Sequence, residues 1–261
     1  MVAAGGYGLY WLRNYVHSQP PYTEQMARVS LDGRPDFLTA EIPDHVVSEL
    51  QKVCDGRSIY DADLAQDVYN RAIELGWVKC VHRVIKTHDG TVLVQAEFRR
   101  PFAFAVSEKA SQRVLVDDEG CVLPMPPQRL QPGQYITVFG VATAAPAAGK
   151  KWNAPDLIDG IKLLKLIKDR SYASEITGID VRNFAGRISN FESHIRLHAQ
   201  LGQGSPTQVL FGRFPADDGL DYCLTPDEML ANLDAVVASQ GGRLSGVHRM
   251  IDVRYDKPHV R

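Results

Sequence analysis

Three sets of residues in this chain have types and spacings that could do chemistry. His194 and His198 are four apart, the interval at which two imidazoles on one helix share a metal. No glutamate lies between them in the order a zinc hydrolase uses. If the segment is a strand, His194, Arg196 and His198 point one way and Ile195 and Leu197 the other, which makes a wet face backed by an apolar one. Asp117, Asp118 and Glu119 cluster as paired acids and bases do. They also precede Gly120, and aspartates favour such a tight turn because they hydrogen-bond their own backbone. The cysteines, Cys54, Cys80, Cys121 and Cys223, share no C-x-x-C spacing, so no metal site is expected. They read as small apolar residues or, outside the cytosol, as partners in a disulfide whose pairing the sequence leaves open. Gly202 to Ser205 precedes no helix and is too short to cradle a phosphate. Asp217-Asp218-Gly219 is another turn, and no serine lies in a G-x-S-x-G context. No catalytic residue and no cofactor is expected.

The residues that point to binding lie elsewhere. Arg99 and Arg100 are adjacent, so on a strand they face opposite sides; one is expected to pair with Glu97 or Asp117, or to touch a partner. A last strand, Arg249 to Tyr255, carries Ile251, Val253 and Tyr255 on one face. A terminal strand at a sheet edge leaves N–H and C=O groups for a neighbour to pair with, a known mode of peptide recognition. Val253, Arg254, Tyr255, Asp256 and Lys257 are therefore the expected partner-binding residues, together with Arg99 and Arg100. Arginine and tyrosine are enriched at interface hot spots, and Lys257 and Pro258 would blunt the edge.

These residues need a scaffold. At 261 residues the chain has room for one large domain or two small ones. A net charge of −2 argues for no general nucleic-acid affinity. Val2 to Leu12 is apolar but shorter than a bilayer span of about 20 residues. With Tyr7, Tyr10 and Trp11 as an interfacial belt, it is expected to be the outer half of a membrane helix. A linker, Ser18 to Tyr22, follows. Then come a short strand at Ala27 to Leu31, a helix carrying Val46, Val47, Leu50 and Val53, and a second helix, capped by Asp61, carrying Leu64, Val68, Ala72 and Leu75. Trp77 to Lys86 and the alternating run Val92, Val94, Ala96, Phe98 flank Asp89-Gly90, a hairpin signal. Two helices on one face of a three-stranded sheet make a compact layer. Beyond lie a small hairpin (Arg113 to Asp117, Cys121 to Leu123), a hinge at Pro124 to Gln134 and a mobile linker at Ala142 to Lys151. A helix at Asn153 to Asp169 follows, then strands near Glu175–Val181, Phe191–Gln200 and Thr207–Phe211. Thr225-Pro226-Asp227-Glu228 opens the last helix with a cap oxygen, a first-turn proline and acids. The fold class is α+β: a β-α-α-β-β domain over 23–106, then a mixed or antiparallel β domain with two packed helices over 107–261, with 1–22 as the membrane-proximal stub.

The ordered set VSLDGRPDFLTAEIPDHV, GRSIYDADL, LGWVKCVHRV, VLVQAEFRRPFAF and RVLVDDEGCVL, closed by IDVRY, resembles the extracytoplasmic part of the bacterial division protein family FtsQ (DivIB). The resemblance runs from about Ala27 to Tyr255 and is carried by order and spacing, with no single diagnostic motif. It implies a single-pass protein of the cell inner membrane whose bulk lies on the periplasmic side. It also implies a POTRA domain followed by a β domain. Such proteins are not enzymes: they recruit FtsB-like and FtsL-like partners and through them regulate the septal peptidoglycan synthase. Carried over, Arg254, Tyr255 and Lys257 align with the segment that receives a strand of the FtsB-like partner. Two other readings stay open on the residues: a POTRA-bearing component of outer-membrane protein assembly or secretion, and an envelope hydrolase using Asp117–Glu119 or His194/His198.

Overall fold

A computed structural model describes residues 8, 10–12, 15, 26–110, 112–125, 133–202, 204–214 and 224–261. The expected membrane stub falls almost wholly outside them, as do the Asp217–Gly219 turn and Cys223. Among the described residues no helix is long and apolar enough to cross a membrane. The protein is mixed α+β and divides into two compact units, Met1–Arg100 and Pro101–Arg261.

In the first unit β1 (Arg28–Leu31), α1 (Glu41–Cys54), α2 (Leu64–Glu74), β2 (Val78–Lys86) and β3 (Thr91–Phe98) follow in order. The sheet order is β1-β3-β2, with β1 parallel and β2 antiparallel to β3. The helices form where apolar residues recur at helical spacing: Val46 and Leu50 on α1, and Leu64, Val68 and Ala72 on α2, are fully buried. Val92 and Val94 on β3 are buried as well. Asp61 is not the cap of α2. It lies two residues before the N-cap position, Asp63, accepts that residue's N–H at 3.2 Å and pairs with Arg57 at 2.8 Å.

The second unit begins at Pro101, not at residue 107. β4 (Pro101–Ser107) bonds to β5 (Arg113–Asp117) and to β7 (Thr137–Val141), so its backbone is committed to the second sheet. β7 was not foreseen. It lies in the sheet interior, parallel to β4 and to β8 (Ile176–Asp180), and such a strand reads as a short apolar run without alternation. The Ala142 to Lys151 stretch is not a free linker. Its end bonds to β6 (Val122–Leu123), and Ala142 N–H donates to Asp156 Oδ2 at 2.8 Å. β9 (Ile195–Ala199) starts later than expected because residues 191–194 form a bend tied to Asn183, whose Nδ2 donates to Glu192 O and Ser193 O at 3.2 Å. With β10 (Thr207–Gly212), β11 (Met250–Asp252) and β12 (His259–Val260), the nine-stranded order is β12-β11-β10-β9-β8-β7-β4-β5-β6.

α3 (Pro155–Ile167) and α4 (Pro226–Ser239) supply the rest of the core. Leu157, Ile161, Leu164 and Ile167 face inward while Lys162, Lys165 and Lys168 stay exposed. α4 opens on a complete capping box between Thr225 and Glu228, with Pro226 in its first turn. Glu175 fastens the loop after α4: its carboxylate accepts from Leu244 N–H (3.1 Å), Ser245 N–H (2.8 Å) and Ser245 Oγ (2.6 Å).

Candidate functional site

The chain treats the two ends of the nine-stranded sheet differently. At β6 the ladder is closed by the chain itself: Gly149 N–H donates to Val122 O at 2.7 Å, Val122 N–H to Lys150 O at 3.0 Å and Trp152 N–H to Gly120 O at 2.8 Å. At the other end β12 is the outermost strand among the described residues. Ile251 pairs with Val260 and Asp252 with His259, antiparallel. Arg261 N–H donates to Met250 O at 2.9 Å and Met250 N–H to Arg261 O at 3.2 Å. In an antiparallel pair, residues that exchange both bonds alternate with residues whose backbone groups face the opposite side. Val260 therefore turns its N–H and C=O away from β11, toward the outer edge. His259, Val260 and Arg261 are all exposed.

The expected docking strand is broken where it was drawn as continuous. β11 ends at Asp252, and residues 254–257 form a bend that brings β12 back beside β11. The cause is local. Asp252 Oδ1 accepts Arg254 N–H at 3.2 Å, the turn an aspartate makes with the backbone two residues on, and its oxygens take Arg254 Nε at 2.9 Å and Nη2 at 2.7 Å. Burial pushes the Asp252 carboxyl up, but the Arg254 hydrogen bonds outweigh it and hold the group below the usual carboxylate range. The same bonds raise the Arg254 guanidinium. Val253 is fully buried and donates its N–H to Leu210 O at 3.2 Å, so it is core, not contact surface. The edge of β11 is thus covered by the chain's own β12, and the outward-facing backbone there, among the described residues, is that of Val260, seven residues beyond Val253.

Around that edge stand the other expected residues. Tyr255 is 53% exposed, packs edge-on against His259 with ring centroids 5.6 Å apart and lies under the Arg254 guanidinium at 5.6 Å. Asn232 Nδ2 on α4 donates to Tyr255 O at 2.8 Å and so fixes the bend to the helix. Asp256 and Lys257 are exposed on the bend. His259 and Val260 were missed because Lys257 and Pro258 read as residues that blunt the edge.

The remaining candidates are placed as follows. Arg99 N–H bonds to Trp77 O at 2.9 Å, and Arg100 covers the Phe37 ring at 5.3 Å; both end the first unit, and Glu97 pairs with Lys79 at 3.4 Å. Asp117 builds a turn, its Oδ1 accepting from Glu119 N–H (2.9 Å) and Cys121 N–H (2.7 Å), while Asp118 pairs with Lys165 at 3.0 Å. His194 lies in the bend before β9 and His198 on β9, and neither enters a metal-binding group among the described residues. Burial, Arg213 and Arg254 lower the His194 pKa.

His198 belongs to a separate cavity of about 570 Å³, lined by Glu108, Phe139, Thr177, Asp180 and Arg182. Asp180 is buried there. Burial would raise its carboxyl, but His198, whose Nε2 stands 3.8 Å away, and the hydrogen bonds from Arg182 outweigh that and hold it far below the usual range. Arg182 Nε sits 3.0 Å from both oxygens, so the group is a fixed ion-pair partner.

No known family model and no curated protein matches the chain.

Proposed function

We propose that this chain is a membrane-anchored, non-enzymatic scaffold of the bacterial division machinery, of the FtsQ (DivIB) type. In this reading an N-terminal helix holds it in the inner membrane as a single-pass protein, with the two units in the periplasm. The first unit is a POTRA-like module, which the strand-helix-helix-strand-strand order supports. The second unit receives an extended strand of an FtsB-like protein, itself carried with an FtsL-like partner, and so regulates septal peptidoglycan synthesis.

The observation that carries this reading is the unequal treatment of the sheet ends among the described residues: one sealed by the chain's own backbone, the other with the Val260 amide and carbonyl turned outward. Strand addition begins from outward backbone groups such as these, with side-chain anchors beside them. Tyr255, Arg254 and Lys257 are the anchors.

The test is capture of the periplasmic segments of FtsB-like and FtsL-like partners by the full chain and by two variants. Val260→Pro removes the outward N–H without touching a bond to β11, and Tyr255→Ala removes the aromatic anchor. Each is expected to weaken capture at least about tenfold, a loss of about 1.4 kcal/mol, with the urea midpoint unchanged. Undiminished capture by Val260→Pro would count against the docking edge.

A further inference from the structure

The first unit holds a group of side chains that no reading above uses. We propose that Cys80, His82 and Glu97 form a binding site for a divalent first-row transition ion, Zn²⁺ by the chemistry of its donors, on the open face of the β2–β3 hairpin. This site is independent of the docking edge and of the division reading.

The geometry comes first. Cys80 Sγ lies 3.7 Å from His82 Nε2 and 3.6 Å from Glu97 Oε2, and the three ligand atoms all lie within 4.8 Å of one another. Donors bound tetrahedrally at about 2.0–2.3 Å stand about 3.3–3.8 Å apart. The sulfur therefore already stands at metal-sharing distances from both other donors. A thiolate, an imidazole and a carboxylate together favour zinc over magnesium or calcium, which take oxygen alone. His82 and Glu97 are exposed, so a fourth position is left to water or to a residue of a bound molecule. Lys79, now 3.4 Å from Glu97 Oε1, supplies the positive charge that the ion would replace.

The backbone is shaped to make this meeting. Near the turn the hairpin keeps a constant register, from Lys86 opposite Val92 to Arg83 opposite Gln95. Continued unchanged, that register would place Cys80 opposite Phe98, a buried residue. Instead the register shifts between Val81 and Arg83, leaving His82 as the extra residue, and Cys80 comes to face Glu97. A bulge re-aims side chains as well as twisting the strand. Here the same irregularity turns His82 outward beside Cys80 and slides Glu97 across from it.

The test is titration of the reduced chain with Co²⁺, followed by displacement with Zn²⁺. The expected result is a thiolate-to-cobalt charge-transfer absorption that saturates at one equivalent and is lost on adding Zn²⁺. It should be absent in Cys80→Ser and at least about tenfold weaker in ion affinity for His82→Ala and Glu97→Gln, the loss that even an outer-shell partner produces. Circular dichroism of the exposed His82→Ala variant, unchanged from the parent, separates loss of ligation from loss of fold. No charge-transfer band in the parent chain, or one that survives in Cys80→Ser, overturns the site.

Discussion

Glu175 carries more of the second unit's stability than any feature of its sequence suggests. Its carboxylate is buried and takes three hydrogen bonds from Leu244 and Ser245, seventy residues along the chain. Burial would raise its pKa, but the bonds from Ser245 and Leu244 outweigh it and lower it. A lowered folded-state pKa means that the contribution is complete above the ordinary glutamate range, about 4.3, and is lost as pH falls through the folded value. Glu175→Ala leaves those donors without a partner in a closed site and is expected to cost about 2–4 kcal/mol. Urea unfolding at neutral pH checks the size of that loss. The same titration carried downward checks the sign: the parent should lose stability on acidification more steeply than the variant. At this scale the sequence was partly legible. It marked Asp117 as a turn residue, because Gly120 follows, but nothing near Glu175 names a partner so far away. Cys80, His82 and Glu97 were hidden for the same reason: spacing rules search along the chain, and a bulge joined these residues across it.

Among the elements, β7 does the most to position the rest and was the least readable. Gly140 on it has φ +85°, in the left-handed region, and a Cβ there would lie 2.9 Å from the Arg182 backbone nitrogen. Gly140→Ala is therefore expected to destabilise the second unit by about 1–3 kcal/mol, read as a lower thermal or urea midpoint. Gly160 of α3 makes a related demand, since a Cβ would come within 2.9 Å of Val138 Cγ1 on the same strand. Helix and strand approach closely only because that position carries no side chain. By contrast, α1, α2, α3 and α4 could be read directly. Each has an apolar stripe at helical spacing, and α4 has its cap written in Thr225 and Glu228. The last strand was half right: Ile251 and Val253 do face the core, but Asp252 and Arg254 bend the chain before Tyr255 can continue it.

For the whole molecule, each unit has its own sheet and its own buried apolar set, with Val46, Leu50 and Val92 in one and Leu157, Ile179 and Phe211 in the other. A fragment of residues 101–261 is accordingly expected to unfold cooperatively in urea as a single transition. A gradual, non-cooperative loss of signal from that fragment would refute the division. Starting the fragment at residue 107 should abolish folding, because β4 holds β5 on one side and β7 on the other. By itself the sequence determined what local patterns encode: amphipathic helices, turns set by Asp-Gly pairs, and the absence of motif spacings for reactive groups. Those signals depend on residues a few positions apart, and period and turn chemistry act at that range. Only the tertiary structure decided which strand lies inside the sheet, which edge the chain seals and which, among the described residues, it leaves open at Val260, and which donors meet across the hairpin. Those outcomes depend on register and pairing between distant segments, and these are settled by packing and hydrogen-bond satisfaction over the entire unit.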